Sequence, residues 1–480
     1  MTVPDAGKLR DRLRGIVTPG GARLVAPSIA EPTRDADAKA GFPVAPTVPL
    51  PPAKAQAARD HGAVARVLGG AWREVEGARS FVVTRRFEPD APYGRARVGD
   101  FAARVRGAAH GATLLSAGAP QAPFVFFDLE TTGLSGGAGT HAFLVGCGWF
   151  DEDDGFVVEQ HLMMDHAAER SMLAVVAADL ARAGALVTFN GKSFDAPVIE
   201  TRYLFHRLIP PCAPLPHVDV LHPARRFWGG DAALGCSLIA LEQQVFGRRR
   251  VGDVPGFEIP ERYFQFIRSG DPQPLADVFE HNRLDLLSLA GLTARLFTLI
   301  ADGPGATEDA REALALGRVY ERAEQAGRAA EAFERAVALA AAADVGGRNR
   351  ATVEWCWTSQ GLRAEALRAL ALGARRARRF HDAASRWREL LDVPGCPAHL
   401  RREATEALAI HHEHRDRDLT AARQFALKSL ETGTEAAWGD AVRHRLARIE
   451  RKLVSERSLF PSSALQPPCG SPRSGRRTSS

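Results

Sequence analysis

Residues 124–134 read FVFFDLETTGL. Four consecutive apolar residues, aromatic or β-branched, run into an acid and then into turn-formers, which is how a strand buried on both faces reads. The strand is predicted over Phe124 to Asp128. Asp128 and Glu130 flank Leu129, and alternation along an extended chain sets both acids on one side and Leu129 on the other. A solvated acidic turn would account for a lone DLE. It does not account for one entered through four apolar residues and left through TTGL.

Working outward, Ala142 to Phe150 (AFLVGCGWF) and Phe156 to Met164 (FVVEQHLMM) predict two further strands joined by the turn DEDDG. A helix follows over Glu169 to Ala183, then a strand at Ala185 to Phe189 and a helix from about Phe194 to Phe205. Next come a strand at His217 to Leu221, a helix at Cys236 to Phe246 and a long helix from about Leu275 to Phe297. Three strands in succession, followed by alternating helices and strands, give an α/β domain. Its order resembles the ribonuclease H-like fold, a mixed five-stranded sheet with flanking helices, placed here at residues 121–300.

Residues 61–120, with the strand-like run Ser80 to Phe87 (SFVVTRRF), read as a small β-containing preface packed on that domain. Residues 1–60 are rich in Pro, Ala and Gly without periodicity and predict a disordered lead-in. Residues 307–455 are helical and Ala-rich. Ala313 to Tyr320 (ALALGRVY) followed by Ala329 to Ala336 (AAEAFERA) is a two-helix signature resembling a tetratricopeptide repeat, with Gly317 and Ala332 allowing close helix contact. It recurs with LALG at Leu370 to Gly373 before HDAASRW at His381 to Trp387, and at Ala407 to Ile410 before TAARQF at Thr420 to Phe425. Val345 to Gly361 reads as irregular, and residues 456–480 as a disordered tail.

The chain is 480 residues long, enough for two or three domains. Its net charge is +5, carried mostly by Arg, which suits phosphate contacts; a GC-rich genome writes the same bias. Six scattered cysteines (Cys147, Cys212, Cys236, Cys356, Cys396, Cys469) form no CxxC pair and read as free thiols. No signal segment and no continuous apolar stretch of roughly 18 residues is visible, so the expectation is a cytoplasmic protein with no membrane association.

Phosphodiester hydrolysis with two cations ~3.5–4 Å apart needs several carboxylates converging on one point, because hard divalent ions take oxygen ligands. Beside Asp128 and Glu130, Phe189 to Asp195 (FNGKSFD) ends an apolar strand in a turn and starts a helix with an acid. Asn190 and Lys192 lie in that turn, where they face a phosphate or, for Asn190, simply shape the turn. His281 to Asp285 (HNRLD) puts His281 and Asp285 on one helix face. Asp219, in HVDVL, is a spare carboxylate, structural or ligand-orienting. Arg225, Arg226 and the run Arg248 to Arg250 are candidates for backbone phosphates, or belong to solvated loops.

FDLETTGL, FNGKSFD and HNRLD together resemble the three motifs of the DEDD exonuclease superfamily, and most of all the YprB-like ribonuclease H-type exonuclease family. VDVLHPARRF, LIALEQQVFG and DVPGFEIPERY extend the resemblance over about His61 to Leu296. It implies that Asp128, Glu130, Asp195 and Asp285 bind two Mg²⁺ or Mn²⁺ ions and that His281 positions or deprotonates the attacking water. One departure stands out. The histidine branch of that superfamily places His five positions before the last Asp and the tyrosine branch places Tyr four before it, whereas His281 stands four before Asp285.

The function expected is removal of nucleotides from a 3′ end of DNA or RNA, with the repeats binding a protein partner or guiding the strand. The alternatives are a non-catalytic nucleic-acid-binding scaffold and a structure-specific endonuclease. Four acids converging beside a polyanion argue against the scaffold.

Overall fold

The computed structural model describes residues 61–459 apart from 109, 110, 112, 117, 134–138, 230–234, 346–357 and 432–435. Helix α1 (His61–Leu68) leads into the hairpin β1 (Ala71–Val75) and β2 (Ala78–Phe87), then the small ribbon β3 (Pro92–Tyr93) and β4 (Ala96–Arg97) and helix α2 (Val98–Arg106). Next come β5 (Phe124–Thr131), β6 (Ala142–Phe150), β7 (Phe156–Leu162), α3 (Glu169–Leu180), β8 (Ala185–Thr188), α4 (Asp195–Phe205), β9 (His217–Asp219), α5 (Leu221–Phe227), α6 (Leu238–Phe246), α7 (Ile259–Ser269) and α8 (Leu275–Asp302).

The main sheet runs β1-β2-β7-β6-β5-β8-β9. The five expected strands are present as β7-β6-β5-β8-β9, in the ribonuclease H-like arrangement, but the sheet is seven-stranded. The run read as part of a separate preface pairs antiparallel with β7, from Phe81 opposite Leu162 to Phe87 opposite Phe156. That pairing covers an edge that would otherwise present unpaired backbone groups. β1 carries too few buried residues to be visible as a strand by pattern.

Alternation along β5 divides its side chains between two cores. Phe124 and Phe126 face a cluster containing Phe246 of α6 and Leu286, Ala290 and Phe297 of α8. Val125, Phe127 and Leu129 face the opposite cluster with Leu173 of α3, Ile199 of α4 and Tyr263 of α7. Both faces of the strand are covered, as its apolar run requires. Asp128 and Glu130 follow Phe126 in phase, on the α8 side.

Helix α8, with the turn after it to Ala306, is long and apolar enough to cross a membrane by length and composition, which corrects the reading that no such stretch exists. Most of that segment is buried in the protein core. After it come α9 (Ala310–Arg322), α10 (Ala326–Val345), α11 (Ser359–Arg376), α12 (Phe380–Leu391), α13 (Ala398–His411), α14 (Leu419–Glu431) and α15 (Ala436–Leu459), an array consistent with helical repeats. A Cβ on Gly317 would lie 2.4 Å from Phe333, so the small residue does permit the close approach of α9 and α10. The array docks directly on the sheet domain: the Trp228 indole donates to Glu312 at 2.9 Å, and the Tyr320 hydroxyl donates to the Ile300 carbonyl at 2.9 Å. The lead-in at 1–60, most of the irregular stretch and the tail from 460 onward lie outside the described residues. Cys147, Cys212, Cys236 and Cys396 are free thiols.

Candidate functional site

Strands β5, β8 and β9 are parallel, so their C-terminal ends emerge on one edge of the sheet. Asp128 and Glu130 stand at the end of β5, Asn190 to Asp195 follow β8, and Asp219 ends β9. In open sheets with helical crossovers, this edge is where ligands meet the chain. Helix α8 crosses the same region and delivers His281, Asn282 and Asp285.

The four expected acids are close enough to act on one another. Desolvation raises the Asp128 carboxyl well above its usual range, and the charges of Glu130, Asp285 and Asp195 raise it further. Glu130 is raised by the same desolvation and by Asp285, Asp195 and Asp253. Asp195, buried at the first turn of α4, is pushed up to about 7, chiefly by burial and then by Asp219. Asp285 is also raised by burial, although Arg250 and His281 pull it down. The set is spread across a gap: among the described residues, the groups of three or more ligand atoms lying within 4.8 Å of one another are found elsewhere.

These shifts have a consequence for stability. A carboxyl whose folded pKa lies above its unfolded value of about 3.9 favours the fold at low pH, and that contribution disappears as pH rises through the folded pKa. In chelator, the midpoint of unfolding is therefore expected to fall between about pH 5 and about pH 8, as Asp195 and its raised neighbours ionise. A divalent cation should reduce that loss and release protons on binding. A metal-free midpoint that is flat or rising over the same interval would contradict this account.

Two residues outside the expected set position Asp128. Asn282 donates to its Oδ2 at 2.7 Å and itself accepts from Gln160 at 2.9 Å. Gly146 lies opposite Asp128 in the β5–β6 register, and a Cβ there would sit 2.4 Å from the Asn282 side-chain oxygen and 2.8 Å from Leu286. A glycine inside a strand marks such a close approach, so AFLVGCGWF carried the signal. Gly146→Ala is expected to push α8 off the sheet, costing about 1–3 kcal/mol in urea unfolding and loosening Asp128. A variant with unchanged stability would mean that α8 yields freely there.

His281 is oriented by a residue that was not singled out from the sequence. Its Nδ1 lies 2.7 Å from Asp253 Oδ1, while Nε2 stands 3.5 Å from Asp285 Oδ2. Arg250 does not serve as a phosphate contact. Its side chain is buried, with Nη1 2.6 Å from Asp285 and 3.1 Å from Asp253 and Nε 2.6 Å from Glu242. Arg248 also turns inward to Glu242, at 2.6 Å. Asp219 is structural: its oxygens accept from the backbone amides of Asn190, Lys192 and Leu221 at 2.8, 3.0 and 3.1 Å, holding the turn that presents Asp195. Asn190 shapes that turn at φ 68°, and its side chain is exposed. Lys192, Arg225 and Arg226 are exposed at the same edge of the sheet. Burial and the nearby Lys192 charge lower the His217 imidazole to about 4.

An all-oxygen, mutually repelling set with a neighbouring imidazole fits hard divalent cations. Comparison with known proteins agrees with the fold. A family model described as RNase_H superfamily matches residues 125–297. The chain is 30% identical over 346 residues to the uncharacterized protein YprB of Bacillus subtilis (strain 168), spanning 72% of this chain and 78% of that protein.

Proposed function

We propose, because this chain belongs to the YprB family of the RNase H superfamily, a nuclease function in which Asp128, Glu130, Asp195 and Asp285 hold two Mg²⁺ or Mn²⁺ ions and nucleotides are removed from the 3′ end of DNA or RNA. The observation that carries this reading is the convergence of buried carboxylates from the end of β5, the start of α4 and α8 at one sheet edge, where Asp195 and Asp285 lie close enough to Asp128 and Glu130 for their charges to act on both. Placing like charges together without water is costly unless cations join them. When bound, such ions stabilise charge on the phosphate and lower the pKa of an attacking water.

The remaining chemistry belongs to the chain. Asp253 fixes the His281 ring by its Nδ1, leaving Nε2 directed to the Asp285 side to take up a proton. Lys192, Arg225 and Arg226 supply positive charge for the sugar-phosphate backbone, which gives affinity without sequence choice. Burial lowers the Arg322 guanidinium of α9 first, and the charges of Arg226 from the sheet domain and Arg318 of α9 lie near enough to lower it further. Repelling arginines that span the sheet domain and the first repeat favour a phosphate chain between them, so the repeats guide the strand.

The test is degradation of strands labelled at the 3′ or the 5′ end, DNA and RNA, in Mg²⁺ or Mn²⁺. The expected result is immediate release of the 3′ label as mononucleotide, with progressive shortening of the 5′-labelled strand. A single internal product would replace the exonuclease reading with an endonuclease. Asp253→Asn should lower kcat roughly 10–100-fold with little change in KM, the usual effect of losing a residue that orients a catalytic or ligating group. An unchanged kcat would remove His281 from the proton-transfer role.

A further inference from the structure

Within the helical repeats, α13 ends at His411 and gives way to a π-helical turn, His412–Asp416, closed by Arg417 at φ 56°. Single π turns inside helices are frequent at functional sites. This one gathers imidazoles about one carboxylate. His411 Nε2 lies 3.2 Å from Asp416 Oδ1, and His381 Nδ1, from the first turn of α12, lies 3.7 Å from the same oxygen. His412 Nδ1 lies 3.0 Å from Asp416 Oδ2.

These contacts are not ordinary hydrogen bonds. The buried His411 Nε2 and His412 Nδ1 have no aligned hydrogen-bond partner, although Asp416 is within reach of both. Ligands of a tetrahedral zinc ion, with bonds of about 2.0–2.1 Å, stand roughly 3.3–3.4 Å from one another. The spacings of 3.2 and 3.7 Å bracket that value. Arg388 meets His412 Nε2 at 3.3 Å, on the side of the ring away from Asp416.

A second set, Glu159, His161 and Asp179, is equally tight, but a cation already sits in it. Arg73 reaches Glu159 at 2.7 Å and also pairs with Asp179. No arginine or lysine ion pair with Asp416 is found among the described residues, and His381 is largely exposed, giving an ion a path in.

We infer that His381 Nδ1, His411 Nε2 and Asp416 Oδ1 form a binding site for a borderline-soft divalent cation, Zn²⁺ above all, with water as fourth ligand and His412 orienting Asp416 from outside. Two imidazoles and one carboxylate prefer zinc to magnesium, which separates this site from the all-oxygen cluster on the sheet. The ion ties the start of α12 to the π turn that follows α13, joining two consecutive helix pairs of the array. This site does not depend on the nuclease reading.

The experiment uses untagged full-length protein, stripped with chelator and titrated with Co²⁺ and then Zn²⁺. In wild type and in Asp128→Asn, Co²⁺ is expected to give the visible bands of four-coordinate cobalt, displaced by one equivalent of Zn²⁺. His381→Ala changes an exposed side chain and should fold normally, yet lose that equivalent and the rise in unfolding temperature that Zn²⁺ gives the wild type. His412→Ala should weaken zinc binding roughly 10–100-fold, as loss of a residue outside the ligand shell does. The inference is overturned if wild type shows no four-coordinate cobalt spectrum, or if wild type and His381→Ala retain the same zinc.

Discussion

Asp128→Asn is expected to reduce divalent-cation-dependent hydrolysis by about 10³-fold or more while making the metal-free protein harder to unfold. The catalytic loss follows from the position of Asp128, at the end of β5 and within the field of Glu130, Asp195 and Asp285. Removing one ligand of a paired-cation centre forfeits several kcal/mol of charge stabilisation, and each 1.36 kcal/mol is tenfold in rate. The gain in stability has the same origin. Asn keeps an acceptor for the Asn282 amide, now 2.7 Å from Asp128 Oδ2, and removes a charge that burial and three neighbours disfavour. Each unit of pKa elevation relieved corresponds to about 1.4 kcal/mol at a pH where the carboxylate would be ionised. Initial rates and urea unfolding in chelator at about pH 8 read both effects. A variant that stays active would place the cations elsewhere; one that is inactive and also less stable would mean that Asp128 is needed for packing.

Arg250→Met is expected to act in the opposite direction on stability, costing about 3–5 kcal/mol in the metal-free protein. Among the described residues Arg250 is the arginine paired with Asp285, and it also binds Asp253 and the fully buried Glu242. Met preserves most of the volume and deletes the charge, so the cost measures the carboxylates left behind. Glu242 keeps Arg248 at 2.6 Å and the Tyr93 hydroxyl at 2.7 Å, so the larger burden falls on Asp285. Mn²⁺ should recover part of the loss, because it replaces positive charge beside Asp285, whereas Asp128→Asn should gain far less from Mn²⁺. The measurement is the unfolding midpoint of each variant with and without Mn²⁺. A loss below about 1 kcal/mol, or equal rescue of both variants, would show that Arg250 does not neutralise the site.

The two substitutions separate what holds the centre together from what it is for. On the proposed reading Asp128 raises the energy of the metal-free fold and serves chemistry, whereas Arg250 lowers that energy and serves the scaffold. Sites that pay in stability for function are where local rules of burial are broken.

Much of this was legible in the chain before any folding was considered. Period-two alternation placed Asp128 and Glu130 on one side of a strand and assigned Phe124 to Phe127 to two covered faces. Helical spacing put His281 and Asp285 on one face, and acids after strand ends marked the sheet edge. Such features depend only on the local geometry of the backbone, which residue order specifies. Folding decided what depends on distant pairing. It added the β1–β2 hairpin to the sheet and made Arg250, read as a candidate for a phosphate or as part of a solvated loop, the partner of Asp285. It made Asp253 the anchor of His281 across 28 positions and brought Asn282 to Asp128 across 154. No local pattern records those contacts, because each depends on where two independently formed elements come to rest against a shared core.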